Sequence, residues 1–196
     1  MENNLLEQIN FTTFSAINQF AGHFPVIDSI AILASEYMPY IFLLPVIYLL
    51  VSSKDNYRKY ALFAGYSVVL GLILNFVITL IYYHPRPFME GIGYTLVKHQ
   101  PETSFPSDHT TLMLSAALML IFFPSTRIIG CILTLLGLIG GIARVYCGLH
   151  FPFDIAGSLF VAFIAAIVVW FFREKLAFVH RFIIGRCKRM VGFSRA

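Results

Sequence analysis

The chain has 196 residues, 58% of them hydrophobic and only 12% charged, with a formal net charge of +4. Soluble domains carry roughly 25% charged residues, so this composition excludes an ordinary soluble protein and points to one integral membrane bundle. The basic residues cluster beside apolar stretches, where membrane orientation and lipid contact account for them, and no nucleic-acid partner is expected.

No basic stretch precedes an apolar run at the N-terminus, so no cleavable signal peptide is expected. Residues 5–21 place Leu6, Ile9, Phe14, Ile17 and Ala21 on one helical face, with Glu7, Asn10 and Asn18 interrupting the remainder. This pattern predicts an amphipathic helix lying in the membrane interface over residues 1–22; the alternative is a short sixth span. The first span is read at 30–51, with Pro39 and Pro45 expected to kink it. Glu36 lies just inside, where a carboxylate either serves function or is hydrogen-bonded near a helix end. A short basic loop, 52–59, leads to the second span at 60–83. Its polar positions, Asn75 and Thr79, suit hydrogen bonds to a neighbouring helix.

His84-Pro85-Arg86-Pro87 ends that helix, because both prolines lack an N–H and restrict the residue before them. Arg86 is thereby held on a stiff, extended piece of chain. The loop 88–106 is long enough to cover a site and offers Lys98 and His99. Ser107 and Asp108, directly before an apolar run, are an N-cap signal for a third span over 107–123. A tight turn at 124–127 leads to the fourth span, 128–147, where Gly137 and Gly141 form a GxxxG pair suited to close packing. Pro152 suits the first turn of a fifth span ending at 172. The tail, 173–196, carries seven Lys/Arg against one Glu. The expectation is an all-α polytopic bundle of five spans in a single domain: interfacial helix 1–22, transmembrane bundle 23–172 and basic cytoplasmic tail 173–196. Cys131, Cys147 and Cys187 show neither metal-ligand spacing nor a disulfide framework. The first two fall on one helix, about 24 Å apart, and cannot pair.

Three polar islands interrupt the apolar chain: HPRPF at 84–88, SFPSDH at 104–109 and ARVYCGLHFPFD at 143–154. Counted along their helices from the opposite ends, Thr79, Ser107, Arg144 and Asp154 lie about 25–30 Å up, near the hydrocarbon thickness of about 30 Å. The islands therefore meet at one depth, where a lipid headgroup sits. Arg86 and Arg144 offer planar forks of donors for phosphate oxygens. Ser107 and the free N–H groups of its helix form an anion site. Asp154, four residues after His150, can fix its tautomer and stabilise the charged ring. His109 can protonate a leaving oxygen. His23, His84 and His180 are read as interfacial. Burying these polar groups for packing alone would be costly.

In this order and spacing the islands resemble the signature of the type 2 phosphatidic acid phosphatase superfamily, K-x6-R-P, P-S-G-H and S-R-x5-H-x3-D. Over most of its length the chain is similar to the bacitracin-resistance undecaprenyl diphosphate phosphatases of bacteria. The matching residues are Arg86 and Pro87, then Pro106, Ser107 and His109, then Arg144, His150 and Asp154. The resemblance implies a phosphatase without metal or cofactor, acting on a polyprenyl diphosphate lipid among membrane lipids and recycling the cell-wall lipid carrier. It implies a phosphohistidine at His150 assisted by Asp154, with His109 as general acid. Arg86, Ser107 and Arg144 would bind the phosphoryl group. Three positions depart: Thr79 stands for the lysine, Asp108 for the glycine and Ala143 for the serine. These changes alter the phosphate cradle but leave nucleophile, orienting acid and general acid in place. Asp108 is expected to turn away from the phosphate as a first-turn helix acid near a basic side chain.

The alternatives are a phosphatase for phosphatidylglycerophosphate, phosphatidate or another lipid phosphate, a lipid phosphotransferase, or a non-catalytic binder or transporter. A transporter places its polar residues near the midplane on broken helices, whereas these lie at one end. Eleven of the fourteen Lys and Arg fall on the opposite face. That asymmetry predicts a bacterial cytoplasmic membrane protein with its site outside and its C-terminus in the cytoplasm.

Overall fold

Apolar residues dominate the long stretches, and the computed structural model turns all of them into helix. It describes residues 5–176; most of the basic tail, with Cys187, lies outside that range. The order is α1 (Leu5–Asn18), α2 (Pro25–Val51), α3 (Asp55–Ile81), a 3-10 turn (Pro87–Glu90), α4 (Asp108–Ile121), α5 (Arg127–Tyr146) and α6 (Pro152–Phe172), with no strand among the described residues.

Four helices, α2, α3, α5 and α6, are long and apolar enough to cross a membrane. The expected third span is shorter than read: α4 has 14 residues, nine of them buried, and extends about 21 Å. It runs down the centre of the bundle, packed against α3, α5 and α6. A helix enclosed by other helices need not match the lipid thickness, which explains the difference. Two other spans begin earlier than read. Pro25 occupies the first turn of α2, and Asp28 there accepts hydrogen bonds from the Gly22 N–H and the Tyr146 hydroxyl. In α3, Asp55 opens the helix and pairs with the buried Arg58 at 3.2 Å. The helix α2 continues through both Pro39 and Pro45.

At one end of the bundle an aromatic cluster ties α3, α4 and α6 together. Tyr60 stacks on Phe123 at 3.9 Å, and Trp170 packs on Phe122 and Phe123 at 5.1 and 5.3 Å. The other end is covered by α1 through part of its apolar face, where Phe14 and Ile17 pack inward beside two asparagines. Asn10, Phe14 and Asn18 are buried, while Leu6 and Ile9 are exposed. Asn18 donates to the carbonyls of Tyr94 and Tyr146, both at 2.8 Å, and accepts from the Tyr94 N–H at 2.7 Å. Asn10 accepts from the Phe153 N–H at 2.9 Å. The asparagines that look like interruptions are the docking residues, because a buried amide is tolerated where its hydrogen bonds are satisfied.

Candidate active site

The site gathers at the end that α1 covers. After α5, Gly148 takes φ +76°, the left-handed region open to glycine. The Gly148 and Leu149 N–H groups return to the carbonyls of Val145 and Arg144, closing the helix. The chain then reverses and presents His150 before Pro152 opens α6. Asp154, in the first turn of α6, accepts a hydrogen bond from the Phe151 N–H through Oδ2 at 2.7 Å. The same carboxylate that caps the helix thereby faces His150.

His150 is completely enclosed. Its Nδ1 lies 2.9 Å from the Ser104 carbonyl oxygen and 3.4 Å from Asp154 Oδ2. Both are acceptors, so the ring proton belongs on Nδ1 and the lone pair on Nε2. Burial pushes the His150 pKa down, which keeps the ring neutral. The Ser104 hydroxyl donates to Asp154 Oδ2. Opposite the lone pair, Arg86 Nη1 stands 3.2 Å from Nε2 and donates to the Leu149 carbonyl at 3.3 Å.

Arg86 Nη2 donates to Glu102 Oε1 at 3.0 Å, Glu102 reaches His99 at 3.6 Å, and His99 Nε2 lies 3.5 Å from Arg144 Nη2. A continuous chain of contacts thus links the two arginines. Arg144 is anchored by its bond to the Ser35 carbonyl at 3.1 Å, and the part-buried Glu36 is close enough to interact with its charge. Among the described residues, the buried Nε groups of Arg86 and Arg144 find no acceptor. Burial lowers the His99 pKa, and the neighbouring Arg86 lowers it further.

Ser107 occupies the N-cap of α4, yet its hydroxyl bonds no first-turn N–H and instead accepts from Thr110 at 3.2 Å. Its backbone N–H donates to Ser158, whose hydroxyl donates to the Asp154 carbonyl at 2.7 Å. His109 borders a groove of about 340 Å³ lined by Pro39, Tyr40, Leu43, Leu72 and Leu112, close enough to Arg86 and Arg144 to interact with their charges. Asp108 is indeed a first-turn residue; it accepts a hydrogen bond from Asn75 at 2.7 Å and lies close enough to Arg86 and Arg144 to interact with their charges. Thr79 spends its hydroxyl on the Phe76 carbonyl and sits at the rim of a cavity shared with Arg86 and Glu102. Lys98 is exposed.

The structure therefore joins Arg86, His150 and Asp154 directly. It brings in Arg144 through His99 and Glu102, and Ser107 through Ser158. Sequence reasoning gives no role to Ser104, Glu102 or Ser158. It also misplaces His84: the ring is half-buried, with Nδ1 3.5 Å from Asp154 Oδ1. Adjacency to Arg86 in HPRPF is the signal that pointed there.

Comparison with known proteins agrees with this arrangement. The profile described as "PAP2 superfamily" matches residues 60–177. The chain is 36% identical to "Undecaprenyl-diphosphatase BcrC" of Bacillus subtilis (strain 168), covering 86% of each chain. It is 27% identical to "Bacitracin transport permease protein BcrC" of Bacillus licheniformis, covering 90% of this chain and 86% of the other. Its fold superposes with a TM-score of 0.65 on a transmembrane PAP2-type phosphatidylglycerolphosphate phosphatase from Bacillus subtilis, at 22% identity and 89% coverage of both chains. With four membrane-length apolar helices and these relatives, the chain is a multi-pass membrane protein. The helical bundle, the placement of the three polar islands and the sequence match agree: this chain belongs to the PAP2 superfamily.

Proposed function

We propose that this protein hydrolyses undecaprenyl diphosphate to undecaprenyl phosphate and inorganic phosphate through a phosphohistidine at His150. The observation that carries the reading is the opposed arrangement at His150. Nδ1 is fixed by the Ser104 carbonyl and Asp154, while Nε2 lies 3.2 Å from Arg86 Nη1. The 36% identity to a named undecaprenyl-diphosphatase supports this choice of substrate.

In the first step the Nε2 lone pair attacks the terminal phosphorus, and the N–P bond forms as the P–O bond to undecaprenyl phosphate breaks. His109 gives its proton to the leaving oxygen, and Asp154 offsets the positive charge gained by the His150 ring. Arg86, Arg144 and Ser107 hold the phosphoryl oxygens. Water then attacks phosphorus, the N–P bond breaks, and the water proton returns to His109. The groove bordered by His109 is apolar along α2 and α3 and suits the first isoprene units of a lipid.

We further infer that α1 lies in the interface, since all its docking partners sit at one end of the bundle. On this reading α4 completes five crossings in a single domain, and the site opens outside the cytoplasmic membrane. Phosphate release from purified protein should favour polyprenyl diphosphates over glycerol lipid phosphates in a detergent panel. His150→Ala should abolish turnover, and acid-labile, base-stable labelling should disappear with it. Loss of activity in EDTA, restored by a divalent ion, would sink the metal-independent mechanism.

A further inference from the structure

The two oxygens of Asp154 are treated differently. Oδ2 receives the Ser104 hydroxyl and the Phe151 N–H, with His150 Nδ1 at 3.4 Å. Oδ1 is fully buried and receives no hydrogen bond from the described residues. Facing it at 3.5 Å is Nδ1 of His84, itself without a hydrogen-bond partner. Full burial of an unpaired carboxylate oxygen beside an unpaired ring nitrogen is unusual for a charged site. A slight rotation and one proton would join them.

The His84 ring is held for such an encounter. It stacks on Tyr82 at 6.1 Å and meets the Phe151 ring edge-on at 5.3 Å. Its backbone carbonyl accepts from the Ser104 N–H at 2.7 Å, which ties it to the segment that fixes His150. Behind the ring lies a cavity of about 430 Å³, lined by Glu7, Asn10, Tyr82, Phe105 and Asp154. An adjoining cavity adds Glu90. Neither shares a lining residue with the grooves bordered by His109 and Arg86. His84 therefore connects Asp154 to a compartment behind the phosphoryl site.

We propose that His84 is a positioning residue that acts on His150 through Asp154. Neutral His84 leaves the carboxylate charge to His150; protonated from the rear cavity, it binds Oδ1 and weakens that support. This rests on the phosphohistidine reading, because the charge that Asp154 must offset arises on His150 as the N–P bond forms. The charged and titratable groups facing His84 are Asp154 on α6, Glu90 on the 3-10 turn and Glu7 on α1, with Arg86 two residues along its own segment. The Asp154 carboxylate raises the His84 pKa above its ordinary value; burial opposes this, and Glu90 and Glu7 add to the rise. His84 therefore takes up its proton at a higher pH than an ordinary histidine, and slowing should set in as pH falls through that raised value.

The test is the pH dependence of kcat for the full chain in detergent, as the ratio of variant to wild type so that titration of the substrate cancels. His84→Asn keeps a donor near the position of Nδ1 but cannot titrate. It should retain alkaline activity within about threefold and move the acidic limb down by about half a pH unit or more. The double change Glu7→Gln with Glu90→Gln alters only exposed groups and should move the limb the same way by less. Acidic limbs that coincide with wild type in both variants would overturn the proposal, as would a His84→Asn loss equal at every pH. A wild type that releases no phosphate at any pH would instead overturn the phosphatase reading.

Discussion

Glu102 holds Arg86 Nη2 at 3.0 Å, at a guanidinium edge that a substrate phosphate is proposed to use. Its side chain is 57% exposed, so the pair is solvent-screened and worth only about 0.5–1 kcal/mol. A phosphate group, carrying more charge and a better fit to the fork, displaces it at that modest cost. Glu102→Gln should therefore lower the apparent KM, and the inhibition constant of inorganic phosphate, by about two- to fivefold with kcat little changed. A raised KM would show that Glu102 helps to hold Arg86 in its working position. Arg86, Arg144, His150 and Asp154 are legible in the sequence because donor forks and an i, i+4 His–Asp pair are properties of residue type and spacing. Ser104 and Glu102 are not. Ser104 orients His150 mainly through its backbone carbonyl, which every residue possesses, and Glu102 works from a loop whose path no periodicity encodes.

Among the elements, α4 depends most on close backbone approach. The sequence singles out Gly137 and Gly141, and both do face α4 or α6, against Leu114 and Ile155. The contact against backbone rather than side chain is one turn from the start of α5. A Cβ on Gly130 would stand 2.7 Å from the Ile121 backbone nitrogen and 2.8 Å from the Ala117 carbonyl oxygen. Backbone cannot rotate aside as a side chain can, so Gly130→Ala should push α4 and α5 apart and cost about 1–3 kcal/mol. Thermal unfolding in detergent would report this as a clear fall in Tm, whereas an unchanged Tm would mean that the two helices separate freely. Helix existence is legible throughout, because long apolar stretches permit little else in a membrane. The length of α4 and the docking role of Asn10 and Asn18 on α1 are not, since both are set by neighbouring helices rather than by lipid or water.

For the molecule as a whole, orientation is the proposal that most needs a direct experiment. The end of the bundle opposite His150 holds Lys54, Arg58, Lys59 and Arg127, and the tail carries seven more of the fourteen basic residues; the positive-inside bias favours the cytoplasm for such an end. A cysteine at Glu102 should react with an impermeant thiol reagent in intact cells lacking an outer barrier, and one at Ser53 only after lysis. The reverse pattern would place the site in the cytoplasm. The membrane length of α2, α3, α5 and α6 is legible in sequence because the bilayer imposes it directly. The rear cavity behind Asp154 is not, since it arises where four separate segments meet.

The outer surface of the bundle is apolar over much of its area; Ile81, Ile128 and Phe171 are 82%, 76% and 76% exposed. Such a surface is soluble only within lipid or detergent. Protein and lipid substrate are then confined to the same thin phase, and encounters take place in two dimensions. The governing concentration is the mole fraction of substrate within that phase, not its molarity in the tube. Adding detergent at fixed substrate thins out the reactants and slows turnover, although nothing in the aqueous solution has changed.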